Sequence, residues 1–153
     1  MNRRVFAALG AAVGLTLGLG TAVAHADSST EAFLEGAPSI TVSATSASGD
    51  FTAAAECYFP VVSPDRGALV CFNPYGEHLY ICDNAPDGHH PAARYYRSDK
   101  SGLKVKHAAV KSGNCYDHNL SIPESGWVNY QACNYEKDTR LSCSSFSGRI
   151  SAG

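Results

Sequence analysis

Histidine and carboxylate side chains offer the first chemistry in this sequence. His89-His90 stands beside Asp87, His78 follows Glu77, His107 stands apart, and Asp117 is next to His118. Gathered in space, such groups make a metal site or an acid–base couple, because imidazole titrates near neutral pH and ligates metals through a bare nitrogen. The spacing argues against a shared ion: neighbours on a strand face opposite ways, which separates His89 from His90, and surface loops account for the others. Glu77-His78 would need a nucleophile nearby. No Gly-x-Ser-x-Gly elbow is present to expose a serine, so we expect no catalytic residues.

Asp83, Asn84, Asp87 and Gly88 resemble the opening of a calcium loop, since hard cations want clustered oxygens and a glycine where the chain turns. The third position is Ala85, however, and the twelfth, where a bidentate glutamate belongs, is Arg94. We read an Asx-rich turn and expect neither metal nor cofactor. Asn119-Leu120-Ser121 matches the N-glycosylation triplet, a pattern frequent by chance.

The six cysteines, Cys57, Cys71, Cys82, Cys115, Cys133 and Cys143, contain no Cys-x-x-Cys pair, which disfavours zinc. Arg3-Arg4, the apolar run 5–19 and Ala24-His25-Ala26 have the form of a secretory leader cleaved after Ala26. In an oxidising compartment an even count reads as three disulfides. Cys133 and Cys143 are placed symmetrically about the loop 136–140, as partners across a hairpin are. Cys57 and Cys71 flank Ser63-Pro64-Asp65-Arg66-Gly67 similarly, one or two residues out of register, and Cys82 with Cys115 follows by elimination.

Beyond the leader, ten Lys and Arg stand against fourteen Asp and Glu, a net charge of −4. Residues 27–56 hold five of the acids and no base, so an acidic arm precedes a near-neutral domain, 57–153. With no basic stripe, nucleic acid and anionic membrane are excluded as expected partners. Ser, Thr, Ala and Gly make up nineteen of the thirty arm residues, too little apolar surface to order alone. Two patches stand out: Phe33-Leu34, and Ile40 to Thr45, which alternates as a strand does. The segment is a tether, the first strand of the domain itself, or a strand added to a partner's sheet edge through Ile40 and Val42.

The elements that must position these groups are short strands. Residues 78–83 alternate, with His78, Tyr80 and Cys82 on one face and Leu79 and Ile81 on the other, the period of a half-buried strand. Pro86-Asp87-Gly88 closes it with turn chemistry. Further strands are expected at 56–62, 68–72, 92–97, 103–110, 127–135 and 141–147, with a hairpin loop at 98–102 and a long connection over 111–126. Seven strands without a helical period predict an all-β, disulfide-stabilised antiparallel sandwich with a flexible N-terminal arm. Adjacent Tyr95 and Tyr96 face opposite ways, and an aromatic in excess of what a small core holds would suit an interface anchor.

The motif Gly76-Glu77-His78-Leu79-x-Ile81-x-Asp83, with Asp87-Gly88-His89, Arg94-Tyr95, 119–124 and Gln131-Ala132-Cys133, resembles small secreted actinomycete β-sandwich proteins. Among these it is similar to the adaptor subunits of the umbrella toxin particles of Streptomyces. The resemblance implies a small disulfide-bearing domain with an N-terminal extension, linking a lectin-bearing subunit to a long, repeat-containing toxin subunit in interbacterial competition. It carries over no catalytic residue. The expectation is therefore a secreted adaptor, with Phe33, Leu34, Ile40, Val42, Tyr95 and Tyr96 as partner-binding residues. A rigid loop, 83–91 or 111–123, would instead suit a secreted inhibitor of a protease or glycosidase. A small enzyme using His78, His107 or Asp117-His118 is the third reading.

Overall fold

The computed structural model describes residues 36–45 and 52–153; the leader and Phe33-Leu34 lie outside them. Ten strands follow in chain order: β1 Ser39–Thr45, β2 Thr52–Val62, β3 Ala68–Asn73, β4 His78–Asp83, β5 His90–Arg97, β6 Lys100–His107, β7 Cys115–Asn119, β8 Trp127–Glu136, β9 Thr139–Cys143 and β10 Ile150–Ser151. There is no helix among the described residues, and none long and apolar enough to cross a membrane. All seven expected strands are present near their expected bounds. Three are additional: β1 in the expected arm, β7 inside the expected connection, and the short β10.

The all-β reading holds, but the sandwich is corrected. Strands β1-β2-β3-β4-β7 close into a barrel, and β10-β8-β5-β6, with β9 also on β8, form an open sheet. Each barrel pair is antiparallel until the ring closes, where β1 meets β7 in parallel at Ala44–Cys115 and Thr45–Tyr116. An odd number of strands cannot alternate all the way round a ring, so one parallel pair is required. Closure is short, since β1 meets β7 at those two pairs alone.

Strand β4 shows how the layers share residues. Its Leu79 and Ile81 enter the core between barrel and open sheet, with Val70, Phe72, Ala93, Val128 and Tyr130. Its Tyr80 and Cys82 face the barrel's own interior, with Val42, Ala44, Cys57, Cys71 and Cys115. The alternation expected of β4 is real, yet both faces are buried rather than one.

Two disulfides fill the small barrel, where side chains alone would have to pack a narrow bore. Cys57–Cys71 joins β2 to β3, and Cys82–Cys115 joins directly paired residues of β4 and β7. Cys133–Cys143 joins paired residues of the β8–β9 hairpin, as its symmetry about the loop predicts. No cysteine is free. Each loop closed in this way removes about 3 kcal/mol of unfolded-state entropy on the chain-entropy model.

Residues 40–45 are thus a strand of this chain's own barrel, in register with β2 from Ser39–Tyr58 to Thr45–Thr52. That corrects the arm's inner boundary, since β2 itself starts at Thr52 rather than at residue 57. A bulge between Tyr58 and Val61 bends β2, with Phe59 at φ 53°. The hydroxyl of the fully buried Tyr130 donates to the Phe59 carbonyl at 2.8 Å, tying the bulge to the open sheet.

Candidate functional site

The inner face of β5 carries Ala93 and Tyr95 into the core, and the bulge after Tyr95 brings Arg97, only 8 % exposed, to the end of the same layer. Register with β6 sets Lys104 beside Tyr95 and Lys100 beside Arg97. From the barrel side, β7 contributes His118 and Asn119, and the chain after it Leu120 and Ser121. Together these residues line a cleft of about 510 Å³.

Its polar groups are held in place. The Arg97 guanidinium gives Nε and Nη2 to the two Asp99 carboxylate oxygens at 2.6 and 2.8 Å, and Nη2 also donates to the Ser121 carbonyl. Tyr95 Oη lies 3.0 Å from His118 Nε2. Burial raises the Tyr95 hydroxyl's pKa, and burial together with Lys106 and Arg97 lowers that of His118. Near neutral pH the imidazole is therefore neutral, and its tautomer sets which of the two groups donates. Among the described residues neither Lys100 nor Lys104 has an ion pair. Such a constellation can hold an anion.

A second polar pair sits at the barrel. His78 Nδ1 and Asp117 Oδ1 are 2.7 Å apart, with Tyr80 stacked on the imidazole at 6.0 Å. Burial, helped by the Asp117 charge, pushes the Tyr80 hydroxyl up to about 12. A carboxylate-oriented imidazole is a usable general base. Every cysteine near it is bridged, however.

The remaining histidines disperse among different partners. His89 lies 3.4 Å from Asp87 and 3.5 Å from Glu136, whereas His90 Nε2 is 3.0 Å from His107 Nδ1, with both rings against Tyr135. Among the described residues no three His, Cys, Asp or Glu side chains are placed to share a metal ion. The Asp83–Gly88 turn spends its oxygens on its own chain. Asp83 accepts the Ala85 N–H, while Asp87 accepts the His89 N–H and the amide of buried Asn134.

The outward face of the open sheet is different in character. Arg94 and Tyr96 alternate with the buried Ala93 and Tyr95, and Arg94 donates to Gln131 on β8 at 2.9 Å. Tyr96 and Phe146, each 39 % exposed, lie 5.6 Å apart ring to ring, and Val105 on the neighbouring β6 is exposed as well.

Of the residues expected to bind partners, Tyr96 is on this face and Tyr95 is in the cleft with its ring buried. Val42 is buried in the barrel and Ile40 is packed against its interior. The structure thus places Ile40 and Val42 in this chain's own barrel, on a strand paired along its length with β2 and with β7 only at Ala44 and Thr45. The sequence reading missed Arg97, Lys100, Lys104 and Phe146. The alternation of Lys100, Lys104 and Lys106 along one strand was the available signal for a basic face. No family model, curated protein or solved structure matches the chain.

Proposed function

We propose that the chain is an extracellular, non-catalytic binding protein, an adaptor that joins other exported proteins. The observation that carries this reading is the Tyr96–Phe146 pair, with Val105, standing on the outward face of the open sheet. Paired aromatics beside an arginine are the residue types that dominate binding energies, and they sit on a scaffold already fixed by a hairpin disulfide. Little ordering entropy is then lost on docking. Three disulfides in one small domain fit the oxidising exterior. The resemblance to the umbrella-particle adaptors supports the same role, with a lectin-bearing subunit and a long toxin subunit as the partners. A protein surface fits this face better than a hydrolase active site does, because Tyr96 lies on β5 and Phe146 on a connection held along β8 by the Ser144 and Ser147 N–H groups.

The test is pull-down from culture filtrate with immobilised wild type, Tyr96→Ala and Phe146→Ala, and with Tyr75→Ala as an exposed control. The expected result is a stoichiometric exported protein retained by wild type and the control, and lost at least tenfold with the two variants, each melting as wild type does. Retention unchanged in both variants would remove the sheet face as the interface. A retained hydrolase that loses activity on binding would replace the adaptor with an inhibitor.

A further inference from the structure

The sheet face leaves the cleft on the opposite side of β5 without a role. We propose that this cleft is a binding site for a small organic oxyanion, a carboxylate or sulfate group carried on a hydroxylated body such as an acidic sugar. Its walls hold one arginine, two lysines and a neutral histidine, and its floor is Leu120. One carboxylate, Asp99, faces them. That carboxylate is bound at both oxygens by Arg97 Nε and Nη2 and also feels the Lys100 charge, which leaves Lys104 with no ion pair among the described residues.

Preorganisation separates this cleft from an ordinary basic surface. Arg97 is a buried guanidinium, fixed from two sides by Asp99 and by the Ser121 carbonyl, and its Nη1 makes neither of those bonds. Tyr95 holds the His118 ring by its Nε2. A cation on Lys106 lies over the Tyr116 ring at 4.7 Å, adding positive potential behind His118. His118 is kept neutral chiefly by its burial, with Lys106 and Arg97 acting in the same direction and Asp117 against it. An anion entering the cleft meets donors whose orientation is already set, with little reorganisation to offset the gain.

Size sets the ligand class. A volume of about 510 Å³ falls within the range of small-molecule sites and is well beyond a bare inorganic ion. Leu120, Tyr95 and Arg97 are nearly covered, so Lys100 and Lys104 take the ligand's charge and the exposed Ser121 meets its hydroxylated body. The site is open rather than closed over, so a terminal or internal residue of an acidic polysaccharide fits as well as the free sugar acid.

The experiment follows amide and imidazole NMR signals of the full mature chain during titration with glucuronate, oligogalacturonate, sodium sulfate and glucose. Glucuronate should shift signals of Tyr95, Lys104 and His118 with a Kd of about 1 mM or tighter, and glucose should not. Oligogalacturonate binding more tightly than glucuronate would identify a polymer as the source; equal affinity would identify the free acid. The K100Q/K104Q double variant should weaken binding at least tenfold at unchanged melting temperature, whereas K137Q should not. Sulfate binding alone, with glucuronate silent, would overturn the organic ligand and leave only ion association. Shifts that survive K100Q/K104Q, or no shift with any probe at about 20 mM, would overturn the site altogether. The sheet-face adaptor is untouched by either failure, since Tyr96→Ala and K100Q/K104Q act on opposite faces.

Discussion

Replacing Val42 by aspartate decides whether β1 belongs to this chain's fold or can be lent to a partner. Val42 is 8 % exposed, and it packs in the barrel with Cys57, Cys71, Tyr80 and Cys82. Losing that burial alone is worth about 1.5–3 kcal/mol for a valine. The new carboxylate adds a desolvation cost, softened because Val42 also borders a surface cleft of about 240 Å³ that water can enter. The sum is about 3–5 kcal/mol. For a domain of this size, about 4 °C per kcal/mol converts that to a melting temperature lower by at least about 12 °C. Thr41, one residue away and exposed, is the control; Thr41→Asp should stay within about 0.5 kcal/mol of wild type. Thermal melts followed by near-ultraviolet circular dichroism and urea midpoints measure both variants. If Val42→Asp melts within about 2 °C of wild type yet no longer captures a partner, β1 detaches at little cost and the added-strand adaptor returns.

Three further outcomes test the rest of the fold. Gly67→Ala should cost about 3 kcal/mol by urea denaturation, although Gly67 needs no unusual φ. A Cβ there would overlap Asn134 Nδ2 and come within 2.7 Å of Asp87 Oδ2, breaking the buried amide–carboxylate bond. Gly113→Ala, at φ 83° with open space around it, should cost only about 1 kcal/mol, and equal losses at the two glycines would refute the packing argument. Acidification should lower stability before any carboxylate titrates. His90 and His118 are both held below the ordinary histidine range, chiefly by burial, so the unfolded chain takes up protons first; stability is level above about pH 7 and declines as pH falls below it. His118→Gln should flatten that slope, and a wild-type melting temperature constant from about pH 7.5 to 5.5 would refute it. Freshly isolated protein should show no reactive thiol under denaturant, with peptide mapping returning Cys57–Cys71, Cys82–Cys115 and Cys133–Cys143; any other partner for Cys133 would break the β8–β9 register.

Local chemistry was legible in the residues alone. The seven expected strands, the Asp83–Gly88 turn and the Cys133–Cys143 bridge depend on neighbours within about ten residues, and alternation, turn formers and hairpin symmetry report on those directly. Strand β7 escaped because Cys115 to Asn119 does not alternate apolar with polar: Asp117 is admitted to the barrel layer by its bond to His78, thirty-nine positions away. The parity of Tyr95 and Tyr96 was visible as well, but which of them faces inward is set by the β5–β8 register that stacks Tyr95 beside Tyr130. Likewise Ile40 to Thr45 reads as a strand with no indication of whose. Pairing with β2 along its whole length, completed by β7, assigned it to this chain, and only the packing of barrel against sheet brought Lys100, Lys104 and Arg97 to His118. A sequence states the period of each strand, whereas the partner of each face is chosen by the layers that compete to bury it.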